Sequence, residues 1–410
     1  MSGPTHTAGA WSLLRDQFEL EQGWLHLALC MVTCNPRPVR EEIQRHRQGL
    51  DQNPALYYRN NAAFVARGLA ALARYLGTDP DQVALVESTT AGLSVVLNGL
   101  DLKPGHEVIS SCHDHYSLDM TLRGLAANRA IPHRRIRLYR EPAKASHGEI
   151  LANLTAAITP ATRAVCLTWV HSCSGVRLPL ACITAAIAAI NEQRPEAERI
   201  LTVVDGVHGM GVVAFRDITS LGCDFLVSGL HKWMFGPRGT GFVWGTARAW
   251  LRFRHPLIVS FDPAAFHPWR YQEHEQDPCP PARRASTGGF QAFEHRWAIH
   301  QAIGVVESLG QERIQERIQA QLQLLRQCLV RHPRVTCLTP ESPDLSAGLL
   351  CFQVHGVEPR QVVEDLLTRR LITGQTPYRN SAVRLAPSIL LADDEISQTT
   401  RILENYLDGH

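Results

Sequence analysis

Four short runs between residues 162 and 245, TRAVCLTWV, ILTVVD, CDFLVSG and GTGFVWG, are apolar at nearly every position rather than at alternate ones. A strand with two apolar faces must be covered on both sides. A mostly parallel sheet sandwiched between helices meets that condition. DQVALVE and HEVISS read as two further strands, and TTAGLSVVLNGL, residues 116–128 and LACITAAIAAINEQ read as helices between the runs. This alternation, from about Leu69 onward, predicts an α/β fold with helices on both faces of the sheet.

Between Arg254 and Ser286 the composition shifts to Pro, His, Gln and Glu, as in a long functional loop or a connection between domains. Beyond it, a long amphipathic helix is expected over about residues 294–332, with a break near Gly310. AGLLCFQV then reads as a strand and EPRQVVEDLLTRR as a helix, which together fit a small α+β unit. Residues 20–285 are assigned to a large domain, and residues 286–410 with residues 1–19 to a smaller one. A length of 410 residues is enough for two buried cores.

The formal charge of +2 gives no reason to expect nucleic acid or an acidic membrane as partner. The stretch MSGPTHTAGAWSLLRDQFEL lacks the apolar core of a signal peptide, and LPLACITAAIAAI is about half the length of a membrane span. The eleven cysteines form no C-x-x-C pair, so neither a zinc cage nor a disulfide framework is expected, and a reducing cytoplasm is the expected setting.

In an open parallel sheet, ligands sit beyond the carboxyl ends of the strands, so the first polar residues after each apolar run carry the interest. LTVV ends in Asp205-Gly206-Val207-His208, and DFLVSGL ends in His231-Lys232. An isolated Asp205 is most simply a helix cap, and an isolated Lys232 a solvated side chain. An acid and a lysine closing two buried strands, 27 residues apart, form the pair that pyridoxal phosphate requires. The lysine carries the cofactor, and the acid keeps its pyridine nitrogen protonated.

The phosphate needs N–H groups at a helix start, and Thr89-Thr90-Ala91-Gly92 supplies one. His113, close behind the strand HEVISS, is a candidate to lie flat on the ring. His113-Asp114-His115 also has the look of half a metal site, but no further ligands stand at helpful spacing. GPRGTG resembles a phosphate loop; a strand rather than a helix follows it, which argues against a nucleotide site.

These motifs, in this order, resemble fold-type I pyridoxal-phosphate enzymes of the class-V aminotransferase group, over nearly the whole chain. That group includes cysteine desulfurases, isopenicillin N epimerases and the C–S lyase of ergothioneine synthesis. The resemblance implies that Lys232 holds the cofactor and that Asp205 pairs with the pyridine nitrogen. His208 and Ser172 would stand near the ring hydroxyl, His113 on the ring, and Thr90 and His231 at the phosphate. Thr287, in ASTGGFQAFEH, resembles a threonine reaching the phosphate of a partner subunit, which implies a homodimer. Arg384, in AVRLAPSILL, matches an arginine that grips a substrate α-carboxylate through a bidentate fork.

Two departures narrow the reaction. Gly229 stands where desulfurases often carry a phosphate-binding serine, and TRRLITGQTPYRNSAVR lacks the cysteine that would take up sulfur before Arg384. Desulfurase chemistry by that route is disfavoured. HKWMFGPRGTGF and FEHRW resemble C–S lyases more than transaminases, so β-elimination of a cysteine S-conjugate is expected, with Lys232 moving the Cα proton. Similar enzymes tailor sulfur-bearing natural products such as the lincosamides, where decarboxylation-coupled oxidative deamination also occurs; epimerisation is the third outcome. The histidine- and aromatic-rich stretch Phe261 to His274 is the candidate for reading a bulky substrate. A regulator would need a DNA-binding extension, and a sugar aminotransferase would not need Arg384.

Overall fold

A computed structural model describes residues 11–254, 270–271 and 281–409 of the chain. Its centre is a seven-stranded sheet built from β1 (Val83–Val86), β2 (Glu107–Ser111), β3 (His133–Ile136), β4 (Thr162–Thr168), β5 (Leu201–Asp205), β6 (Phe225–Gly229) and β7 (Gly241–Gly245). The order across the sheet is β1-β7-β6-β5-β4-β2-β3, and only β7 runs antiparallel to its neighbours. Every residue of β1, β4, β5, β6 and β7 is buried, as doubly covered strands require. Each large apolar side chain so buried contributes roughly 1.5–3 kcal/mol. β3, HRRI, lacks the apolar signal of the other strands; it is an edge strand whose charged residues stay partly exposed.

The register sets which residues share the functional edge. Thr168 on β4 pairs with Asp205 on β5, and Asp205 pairs with Val227 on β6, so β4 and β5 end level with each other and β6 runs two residues further. Val86 on β1 and Gly229 on β6 both pair with Gly241 of β7. Antiparallel β7 thus brings the end of β1, and the helix after it, beside the end of β6. That helix lies close to the sheet because Gly92 has no side chain; a Cβ there would come 2.5 Å from Val227 Cγ1.

The helices that cover the sheet include α1 (Asn61–Leu76), α2 (Thr89–Gly99), α3 (Tyr116–Arg129) and α4 (Leu180–Glu192). The helical stretch expected up to His332 is broken into a short turn at Phe293–Trp297, α5 (Ile299–Leu309) and α6 (Gln311–Val330). Gly310, at φ +84, separates the last two, as the sequence implied. The C-terminal unit has a four-stranded antiparallel sheet of β8 (Val335–Cys337), β9 (Leu350–Val354), β10 (Gly374–Gln375) and β11 (Val383–Leu385), and it ends in α7 (Asp393–Asp408).

Two seams join the large unit to the C-terminal one. Leu25–His26 pairs in parallel with Leu371–Ile372, so the chain past residue 19 is still stitched to the C-terminal unit. α5 lies against α1 of the large unit, whereas α6 packs on α7. The break at Gly310 is therefore the point where helical packing passes from one unit to the other. No helix among the described residues is long and apolar enough to cross a membrane.

Candidate active site

Asp205, the last residue of β5, is 2% exposed. Burial pushes its carboxyl up to about 6, against the Val207 N–H donated to Oδ1 at 3.1 Å and against nearby Lys232. Lys232 follows β6 by three residues. Burial lowers the pKa of its amine, while the Cys30 thiol and Asp205 oppose the shift. Its Nζ lies 3.2 Å from His208 Nε2, and Trp233 Nε1–H donates to His208 Nδ1 at 3.3 Å. The tryptophan bond assigns the remaining imidazole proton to Nε2, which then points at the lysine lone pair. Burial holds the His208 pKa well below its ordinary value, so the imidazole stays neutral. This geometry favours an uncharged Lys232 amine, the nucleophilic form. The turn beyond it is kept in place by Phe235 in a left-handed conformation (φ 54), with Asn35 Nδ2 donating to the Phe235 and Gly236 carbonyls.

On the side toward β1, α2 starts with Ser88 as its cap; Ser88 Oγ accepts the Ala91 N–H at 3.1 Å. The first N–H groups of a helix have no partner within it and carry partial positive charge. Thr89 Oγ1 accepts the Gly229 N–H at 2.7 Å, pinning the end of β6 to this helix start. A Cβ at Gly229 would lie 2.8 Å from the His231 ring and 3.2 Å from Thr89 Oγ1, so the glycine leaves room for both. His231 is half-buried, its pKa lowered by burial and by Lys232.

The third wall comes from the C-terminal sheet. Arg384 on β11 is 7% exposed and donates from Nη1 to the Ser172 carbonyl at 3.3 Å, while its Nε has no partner. Thr168 Oγ1, also buried, has none either. Ser172 Oγ lies 2.7 Å from the Tyr378 hydroxyl. These walls enclose a cavity of about 270 Å³ whose lining includes Thr89, Thr90, Thr168, Ser172, Asp205, His208, His231, Lys232 and Arg384. A helix start of positive partial charge, a buried amine, a buried acid and a guanidinium whose Nε has no partner face one space.

Most of the residues picked from the sequence thus converge, and three do not. Ala91 spends its N–H on the Ser88 cap and does not line the cavity. Thr287 donates its hydroxyl to the Glu87 carboxylate, outside the cavity. His113, expected over a cofactor ring, stacks instead on Tyr139, with centroids 3.8 Å apart and planes 9° from parallel. The cause is Asp114, which turns inward to accept the Ser111 and Thr168 N–H groups at 2.6 and 2.8 Å. His115 lines the cavity in its place, capping α3. Burial, with Lys232 and Arg384 nearby, pushes its pKa down to about 4.

His115 was legible as the last polar residue before the helix, but nothing local separated it from His113. Cys30, Gln375 and Tyr378, also at the site, sit in segments without a chemical signature. The stretch Phe261 to His274 lies outside the described residues, apart from residues 270–271.

Known proteins resemble this chain in sequence and in fold. Isopenicillin N epimerase of Streptomyces clavuligerus is 27% identical over 383 residues, covering 90% of this chain and 91% of the epimerase. A solved structure of the cystine C–S lyase C-DES with its product cysteine persulfide superposes with a TM-score of 0.83 at 21% identity, covering 94% of this chain and 98% of the other. A lysine-to-alanine variant of C-DES with glycine covalently linked to pyridoxal phosphate gives a TM-score of 0.84 at 21% identity, covering 95% and 99%. The fold is accordingly that of the fold-type I enzymes. The profile of aminotransferase class-V matches residues 62–376, more than half of the chain, and the protein belongs to that family.

Proposed function

We propose that this protein is a pyridoxal-phosphate enzyme that cleaves the C–S bond of a cysteine S-conjugate by β-elimination. The observation that carries the reading is the meeting of Lys232, Asp205 and Arg384 in one cavity, the first two pushed by burial toward their uncharged forms. The cavity fits the cofactor. The capped start of α2 with Thr89, Thr90 and His231 suits a phosphate, and Asp205 suits a pyridine nitrogen at the far end. The partnerless Thr168 Oγ1 and Arg384 Nε are buried donors awaiting acceptors. His115, which lines the cavity, would be the imidazole against the ring in place of His113.

When bound, pyridoxal phosphate supplies an electron sink that weakens the bonds at an amino acid's Cα. The residues of the chain divide the rest of the task. Lys232 would hold the cofactor, and its amine, with its pKa lowered by burial, would take the proton from the substrate Cα. Asp205 would keep the pyridine nitrogen protonated, a pairing that its low-dielectric surroundings would strengthen. Arg384 fixes the α-carboxylate. The sulfur would depart with the Cβ–S bonding electrons and take up a proton to leave as a thiol, and the aminoacrylate left behind would be hydrolysed by water to pyruvate and ammonia. The reading extends to S-conjugates in sulfur-bearing natural-product synthesis of the lincosamide type. It also extends to a homodimer in which Thr287 reaches the partner subunit's cofactor phosphate.

Epimerisation is the second reading, because epimerase relatives align over nearly the whole chain. It would use the same proton removal at Cα, followed by return of a proton to the opposite face. Mass spectrometry of the products from one cysteine S-conjugate separates the outcomes. Thiol plus pyruvate is expected. Inverted amino acid would replace this reading by epimerisation, and aldehyde plus carbon dioxide by decarboxylative deamination.

A further inference from the structure

Tyr378 belongs to neither the strand ends nor the helix start from which the site is built. It lies in the turn between β10 and β11, the hairpin that carries Arg384. That turn is closely tied. Thr376 N donates to Ala382 O at 2.9 Å, Ala382 N to Thr376 Oγ1 at 2.9 Å, and the Ser381 hydroxyl to Thr376 O at 2.9 Å. It holds the Tyr378 hydroxyl 2.7 Å from Ser172 Oγ, across 206 residues of sequence. The phenol ring also stands nearly edge-on to His115, with centroids 6.3 Å apart at 76°.

Which hydroxyl donates follows from acidity. A phenol is a stronger acid than an aliphatic alcohol, which favours Tyr378 as the donor and Ser172 Oγ as the acceptor. Burial raises the phenol's pKa further and keeps that proton in place. The Ser172 carbonyl is already taken by Arg384 Nη1. The serine proton is therefore left for the cavity that Ser172 lines. A free serine hydroxyl turns among three staggered wells, so without Tyr378 its direction is undefined. Accepting one hydrogen bond also makes a hydroxyl a better donor of the next.

We infer that Tyr378 is a positioning residue whose phenol sets the Ser172 hydroxyl as a donor into the cavity, toward the ring oxygen of bound pyridoxal phosphate. The inference rests on the cofactor reading above and adds a residue to it from outside the strand-end pattern.

The test is a double-mutant cycle on cofactor binding, read by visible absorption as cofactor-free protein is titrated with pyridoxal phosphate. Tyr378→Phe keeps the ring against His115 and removes only the hydroxyl. It is expected to weaken binding about three- to tenfold, the effect of one weakened hydrogen bond to a charged oxygen. In a Ser172→Ala background the same change should matter less than twofold. Adding Ser172→Asn to Tyr378→Phe should restore affinity to that of Ser172→Asn alone, because an amide brings its own N–H donors. Equal losses in both backgrounds, or no loss from Tyr378→Phe in the native background, would overturn the inference. A native protein that fails to bind pyridoxal phosphate overturns the cofactor reading itself, a result distinct from normal binding with additive variants. Thermal midpoints of all variants separate this role from a structural one, which would lower the midpoint equally in both backgrounds.

Discussion

The cavity at the sheet edge has a volume of about 270 Å³ and the groove between Trp11, α6 and α7 about 280 Å³, so size does not distinguish them. Their charges do. In the groove, Arg317 Nη1 lies 3.3 Å from Asp393 and Nη2 donates to the Leu391 carbonyl at 2.7 Å. The Arg317 guanidinium sits 5.0 Å from the Trp11 ring centre, and Gln321 also donates to Leu391, at 3.0 Å. These contacts tie α6 to the start of α7 and to the N-terminal segment. Burial lowers the Arg317 pKa too, but its paired Asp393 opposes the shift, whereas in the cavity Lys232, Asp205, His208 and His115 are all driven by burial toward their uncharged forms without an ion pair of that kind among the described residues. Groups held near a change of protonation suit proton transfer, whereas groups locked in pairs suit structure.

If this contrast is right, substitutions in the two regions should separate activity from stability. The largest effect is expected at Lys232. Lys232→Ala should remove the visible band of bound cofactor and slow turnover by on the order of 10³-fold or more, the range for losing a positioned proton carrier. Absorption spectra and single-turnover rates check this, and a retained visible band would remove Lys232 from its role.

Arg384→Ala comes next, with kcat/KM for an amino-acid substrate falling about 10²- to 10³-fold through loss of a buried charge pair. Steady-state kinetics decide it, and unchanged turnover would sink the carboxylate assignment.

Asp205 gives a pH signature that the groove lacks. Its folded pKa of about 6 exceeds the unfolded value of 3.8, so the folded cofactor-free protein binds more protons between those values. Stability from this group is therefore full below pH 4 and lost as pH rises through 6, by about 3 kcal/mol. His208 and His115, held below their ordinary values, titrate with the opposite sign, so the decline is read as the difference in unfolding free energy between the native protein and Asp205→Asn, which should shrink from pH 4 to 7 without cofactor. Cofactor binding should remove the decline, because a protonated pyridine favours the carboxylate.

The smallest functional effect is expected in the groove. Arg317→Ala should cost about 1–2 kcal/mol of stability through lost hydrogen bonds and packing while leaving kcat/KM within twofold. A large kinetic loss there would erase the contrast.

Much of the cavity was legible because chemistry and burial coincide at strand ends. Asp205 and Lys232 stand out in the sequence as the first polar groups beyond runs too apolar to be exposed. β3 was not legible, since an edge strand is free to carry HRRI and so lacks the signal of its buried neighbours. His115 and His113 could not be ranked locally. Which of them faces the cavity depends on Asp114 turning toward Thr168, a residue on another strand. Cys30 and Tyr378 reach the site from the two ends of the chain, from segments that fold against partners far away in sequence.

The sequence by itself determined the layered α/β architecture, the lysine–acid pair and the helix start that suits a phosphate, because each follows from local periodicity and from what burial permits. The tertiary structure alone decided the alignment of Thr168, Asp205 and Val227 in one row and the seating of Tyr378 and Arg384 on Ser172. The first is a matter of strand register, and the second of packing between units more than 200 residues apart. Neither is encoded in any short stretch of chain, since both depend on which surfaces remain to be covered once the sheet has formed.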